Sequence, residues 1–196
     1  MSWSRTGPLL AVAVAALAGT AIALARPDDA PAPPAPPAPV AVTSDAPRLG
    51  SLVDLVASSD LVVRGVVTRA EHGRVFGDPG SEATIESRTL TLRIDQVLHG
   101  TVPDGHQVLV EEEGWDGDGA PLIVDGAAPS AEGDDGIWFL VDVGTAEEQR
   151  YVVLSSEGRY LVRGDHLRGA AGNDPVVARL AGLGPVGLAA AIAALP

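Results

Sequence analysis

The chain has no cysteine. That excludes a disulfide framework, a thiol nucleophile, a cysteine-built zinc site and lipid attachment at a cysteine. Lysine is also absent, so all 13 basic side chains are arginines, set against 26 acids. A formal charge of −13 with a pI near 4.5 argues against a nucleic-acid partner or an anionic membrane surface, since both select positive charge. Aromatic residues make up only 4% of the chain, too few for the stacking platforms of single-strand binders. Nucleophile elbow, P-loop, dinucleotide fingerprint and His-Glu-x-x-His are all missing. The four histidines, His72, His99, His106 and His166, are scattered. His99 and His106 flank one turn and read as exposed loop residues; a hydrolase would need one of them buried beside a carboxylate. Nothing in the sequence supports an enzyme.

What is present begins with an export signal. Leu9 to Ala25 is a 17-residue run without charge, preceded by Arg5 and closing on Ala23-Leu24-Ala25. The small residues Ala23 and Ala25 fit a signal-peptidase site. The run is slightly long for a cleaved signal and slightly short for a spanning helix, which wants ~20 apolar residues. Residues 1–25 are therefore a signal peptide or an N-terminal membrane anchor, and both place the remainder beyond the cytoplasmic membrane, secreted or in the cell envelope. Residues 26–47, RPDDAPAPPAPPAPVAVTSDAP, follow as a Pro/Ala-rich stalk. Prolines at this density block helix and sheet ladders and favour an extended, disordered spacer.

From Arg48 to Pro196 the pattern is that of one folded domain. Ser51 is placed to cap a short helix, with Asp54 three residues on. Leu61 to Arg69 is β-branched and reads as a buried strand, and Gly73 to Ala83 as its hairpin connection. Over Thr84 to Leu98, Leu90, Leu92 and Ile94 alternate with polar residues at period two. Further short strands are predicted at Gln107–Val110, Ile137–Val141, Tyr151–Leu154 and Arg159–Val162. Asp174-Pro175 then opens a helix as N-cap and first residue, and Gly184-Pro185 separates it from a second, alanine-rich one. Short strands with turn chemistry between them, a leading helix and C-terminal helices predict a mainly β fold, a small antiparallel barrel.

Three local features carry a resemblance. A short helix runs into Asp60-Leu-Val-Val-x-Gly-x-Val67; a long strand ends in Val97-Leu-x-Gly100 and a further strand follows; and Gly136 precedes the pair Phe139-Leu140. Together they resemble the netrin-like domain, the OB-type barrel also used by tissue inhibitors of metalloproteases, over roughly Ser51 to Val162, in the manner of exported bacterial proteins of this layout. The resemblance implies a closed barrel that binds through loops or one face. Inhibitors of that family chelate zinc through an N-terminal cysteine, and with no cysteine here that mechanism does not carry over.

The most uneven feature is charge placement. From Ile94 to Gln149 there are 14 acids and no arginine or lysine, whereas the domain's arginines lie on either side of that segment. Its densest part is Glu111-Glu112-Glu113-Gly114-Trp115-Asp116-Gly117-Asp118-Gly119. Carboxylates on glycine-rich backbone suit calcium, which makes Glu113, Asp116 and Asp118 candidate ligands, although the spacing is not that of an EF-hand. Alternatively the segment is solvated charge, or a contact surface in which Glu111, Glu112 and the aromatic anchor Trp115 meet a partner. Trp115 can equally be a core residue, and a domain with so few large side chains favours that. If early and late strands pair, the domain has an acidic loop end and a more balanced body, a dipolar surface suited to orienting a partner. The function expected is an exported or envelope-tethered binding module for a protein or envelope component, touching the membrane only through its N-terminus. A calcium-stabilised surface protein and a hydrolase with an unrecognised site are the alternatives. No cofactor is expected apart from that calcium.

Overall fold

The computed structural model describes residues 35–45, 48–78, 81, 84–102, 105–145, 148–171 and 174–196. The export segment with Ala23 and Ala25, and the first part of the stalk, lie outside the described residues. In chain order the elements are β1 (Val40–Val42), α1 (Leu52–Ala57), β2 (Leu61–Phe76), β3 (Ile85–Gly100), β4 (Gln107–Asp116), β5 (Leu122–Val124), β6 (Asp135–Asp142), β7 (Tyr151–Val153), β8 (Arg159–Arg163), β9 (His166–Gly169), α2 (Pro175–Ala181) and α3 (Gly184–Ala193).

Local signals act where the sequence places them. The Ser51 side chain accepts the Asp54 amide at 3.1 Å and caps α1. Asp174 accepts the amides of Val176 and Val177 at 2.7 and 3.1 Å and caps α2, with Pro175 in its first turn. In β3 the alternating Leu90, Leu92 and Ile94 all point into the core, at 0%, 0% and 6% exposure.

Pairing in the order β2-β3-β4-β7-β6, with β6 returning to β2, closes a five-stranded ring. The result is a mainly β fold with a small closed barrel, compatible with an OB-like barrel. Four of the five pairings are antiparallel; the fifth, β4 with β7, is parallel. β6 also pairs with β8, and β8 with β9, so a hairpin extends the sheet past the ring. Closure bends the sheet sharply, and two glycines allow it. Gly65 of β2 stands opposite Gly136 of β6. A Cβ on Gly65 would lie 2.5 Å from the Arg93 carbonyl oxygen, and one on Gly136 2.7 Å from that of Tyr160.

Two apolar clusters divide the work. Inside the ring, Leu61, Val63, Leu90, Leu92, Val110, Trp138 and Leu140 pack together. Outside it, Val62, Phe139 and Tyr160 pack with α1, α2 and α3 through Leu55, Val177, Leu180, Leu188 and Ile192. The alternation of Val62 and Val63 between the clusters is the period of two seen from both faces. The helices break at Gly182-Leu183, so that Gly184-Pro185 opens α3, turned by 102° from α2, and among the described residues no single helix is long and apolar enough to cross a membrane.

Several elements differ from expectation: β4 runs on past Val110 through the acidic segment to Asp116, and Leu122–Val124 pairs as a further strand, β5. β2 does not stop before Gly73 but runs to Phe76, with register shifts after Val67 and His72. Gly73 is accommodated inside the ladder because a side chain there would collide with Ser87 of β3, at 2.3 Å for its Cβ. The stalk does not stay unpaired to its end: Val40–Val42 forms β1, parallel to β5, after the last proline of the run leaves amides free to donate. β9 is four residues of mostly polar sequence, with no pattern to reveal it.

Candidate functional site

β4 carries the acidic segment across the barrel wall. Val108 and Val110 point inward; Glu111 then faces the opposite way, and Glu112 returns to the face of Val110 near the end of the ring. β4 lies between β3, from the early part of the chain, and β7, from the late part, so arginines from both sides reach its carboxylates. Glu111 takes a two-pronged contact from Arg74 of β2, Nε at 3.0 Å and Nη2 on the other oxygen, plus the Ser87 hydroxyl at 2.7 Å; Arg150 stands 3.9 Å away. Glu112 accepts the Ser130 amide at 2.7 Å, the Ser130 hydroxyl at 2.8 Å and Arg159 Nη1 at 3.2 Å, with Arg88 at 4.0 Å. Arg159 also donates to Ser130 Oγ and the Ala128 carbonyl, and Arg88 to the Ser130 carbonyl at 2.7 Å. The 128–130 loop thus lies over the arginines and is held by them.

Of these side chains, Glu111, Glu112, Arg74 and Arg159 lie on the floor of a groove of about 540 Å³ between the β5 segment and the strands β2, β3, β4 and β7. The volume falls within the ~300–1,000 Å³ of small-molecule sites. Its walls are apolar: Phe76, Ile85, Leu122, Val124, Val152 and Leu154, with Val143 at the rim. Phe76 and Val143 are 47% and 46% exposed, large apolar side chains facing water around a concave surface. Val40 and Val42, also exposed, stand beside Leu122 and Val124 in the parallel register and continue the apolar surface along β1.

The floor's electrostatics follow from its pairing. The Arg74 hydrogen bonds hold the Glu111 carboxyl below its ordinary value; burial opposes them, while Ser87 and the charge of Arg150 reinforce them. Arg74 is raised in turn by Glu111. Arg159 is lowered, because burial outweighs the help it receives from Glu112. The Nε atoms of both Arg88 and Arg159 are buried without a hydrogen-bond partner.

The acids expected to act together are separated by this arrangement. Glu111 and Glu112 are bound into the protein, not offered at its surface. Glu113 and Asp118 are exposed, and Asp116 accepts the amides of Asp118 at 3.0 Å and Ala120 at 2.8 Å, closing its own turn. Among the described residues no three metal-ligating side chains gather where they could hold an ion. Trp115 belongs to neither apolar cluster. It is half-buried, stacked on His72 at 4.0 Å with Arg88 4.5 Å from its ring centre: the bulge at Gly114 brings it onto the face of Glu112 and Arg88, beyond the apolar part of that face. His72 also meets Glu86 at 2.9 Å while remaining 68% exposed; His99 and His106 are exposed. Sequence reasoning missed the apolar walls and the arginine partners. The distribution of arginines on both sides of the segment suggests a separate acidic end and a balanced body; the strand pairing instead brings arginines from both sides onto Glu111 and Glu112.

No family model matches the chain, and neither the curated proteins nor the solved structures contain a match to it.

Proposed function

We propose that the chain is an exported or envelope-tethered binding module, built on an OB-type barrel of netrin-like kind, that holds an apolar partner group in the groove above Glu111 and Glu112. One observation carries this reading: a concave apolar surface of about 540 Å³ left open to water while its charged floor is internally paired. Isolated exposed valines need no explanation, but a continuous apolar concavity favours a ligand that covers it. The N-terminal apolar run and Pro/Ala stalk support a position outside the cytoplasmic membrane, secreted or held at the envelope. The netrin-like identity rests on the short motifs at Asp60–Val67, Val97–Gly100 and Gly136–Leu140 together with a barrel of compatible size.

Titration with the uncharged dye Nile red tests the reading. The full chain, kept free of detergent, should bind it saturably with a blue-shifted emission. Val143→Asp, at the rim, should abolish that binding without lowering the melting temperature, and Val97→Asp, equally exposed but outside the groove, should not. Dye binding unaffected by Val143→Asp would refute the groove as the contact surface.

A further inference from the structure

β5 supplies Leu122 and Val124 to the groove's wall, yet among the described residues its one ladder partner is β1, at the end of the stalk. The parallel register sets Val40 beside Leu122 and Val42 beside Val124, so β1 widens that wall on its groove face. The Val40 amide donates to the Pro121 carbonyl and the Asp125 amide to the Val42 carbonyl, both at 2.9 Å. The Ser44 amide reaches the Asp125 carboxylate at 3.1 Å, and Ser44 itself lines the groove. Asp125 is fixed for this by its own turn: it and Gly126 are left-handed, at φ 50° and 79°, and the Ala127 amide closes back on Val124 at 2.8 Å. The attachment is nonetheless light. All three residues of β1 are exposed, Val40 and Val42 by 39% and 37%, and Pro39 has no amide with which to lengthen the ladder. Further on, the chain is pinned again: buried Glu157 accepts the Leu49 amide at 2.8 Å, and Leu49 packs on the outer cluster. β1 can therefore leave β5 while the domain from Leu49 onward keeps its contacts, which marks it as a unit of low local stability.

We propose that β1 is a strap through which the stalk controls the groove. Laid along β5, it completes the wall and holds the groove's occupant; drawn away by extension of the stalk, it loosens the wall and lets the occupant go. The assignment rests on the groove being the binding site, as proposed above, and adds the regulation of that site. Because such coupling is reciprocal, an occupied groove also holds β1 more firmly.

Two proline substitutions in the full chain test the strap. Val40→Pro removes the amide that bonds Pro121, whereas Ala41→Pro removes one that the alternation of the ladder points away from β5. Nile red should bind Val40→Pro about tenfold more weakly than the parent and Ala41→Pro as the parent does, with no change in melting temperature. Saturating dye should slow hydrogen exchange at the parent's Asp125 amide by a similar factor, which the mere loss of a rim contact would not do. Three results would overturn the strap and leave the groove standing, provided that Val143→Asp still abolishes binding. They are Val40→Pro that binds as tightly as the parent or melts several degrees lower, Ala41→Pro that binds as weakly as Val40→Pro, and Asp125 exchange unmoved by the dye. Binding of no dye, or binding indifferent to Val143→Asp, would remove the groove itself and this inference with it.

Discussion

The acidic segment of β4 divides into two halves that differ in everything except composition. Glu111 is buried and the Glu112 side chain only 11% exposed, and both are held by hydrogen bonds from groups distant in sequence. Glu113 and Asp118, a few residues on, are exposed, and Asp116 serves its own turn. A run of carboxylates is therefore no guide to a charged surface. Its meaning is set by which strands the fold lays on either side, and here those strands deliver arginine.

The comparison breaks most decisively at Glu112. Glu112→Ala strands Arg159 and Arg88 beneath the 128–130 loop, and breaking a buried pair in this way costs about 3–5 kcal/mol. Urea unfolding should show a midpoint lowered accordingly. Ser130→Ala removes one hydroxyl that both donates to Glu112 and accepts from Arg159, and should cost about 1–3 kcal/mol in the same assay. Glu111→Gln sharpens the comparison through pH. Because the folded state holds this carboxyl below its ordinary value near 4.5, its contribution is complete above that value. The contribution is lost as the pH falls through the lower folded value. The variant's stability should accordingly fall less steeply than the parent's as the pH drops below 4.5. At the other half of the segment, Glu113→Ala and Asp118→Ala should each change stability by less than about 0.5 kcal/mol, and millimolar calcium should leave the melting temperature where EDTA does. A calcium-dependent rise would show that the two halves are less different than their burial indicates.

Much of the fold was legible from local rules, and the residues say why. Leu90, Leu92 and Ile94 alternate because one face of β3 is core, and Ser51 and Asp174 cap helices through bonds spanning two or three residues. What was illegible depends on distance. The Arg74–Glu111 and Arg159–Glu112 contacts join residues 37 and 47 positions apart, and no periodicity reports such a pairing. β1 could not be seen within a proline-rich stretch, because its partner β5 is only three residues long and 82 positions away in register, Val40 against Leu122. Trp115 looked like core because large side chains are scarce, but it lies past the apolar end of β4, between His72 and Arg88, and the bulge at Gly114 that sets its face leaves no signature in an alternating pattern. The groove itself is assembled from β2, β3, β4, β5 and β7, so its apolar walls were each visible as strand residues and their concavity was not.

The most direct measurement is titration of Nile red into the full chain and into Val143→Asp. If the groove above Glu111 and Glu112 holds an apolar partner group, the dye should bind the parent saturably and fail to bind the variant. Dye that binds Val143→Asp as tightly as the parent would contradict the account.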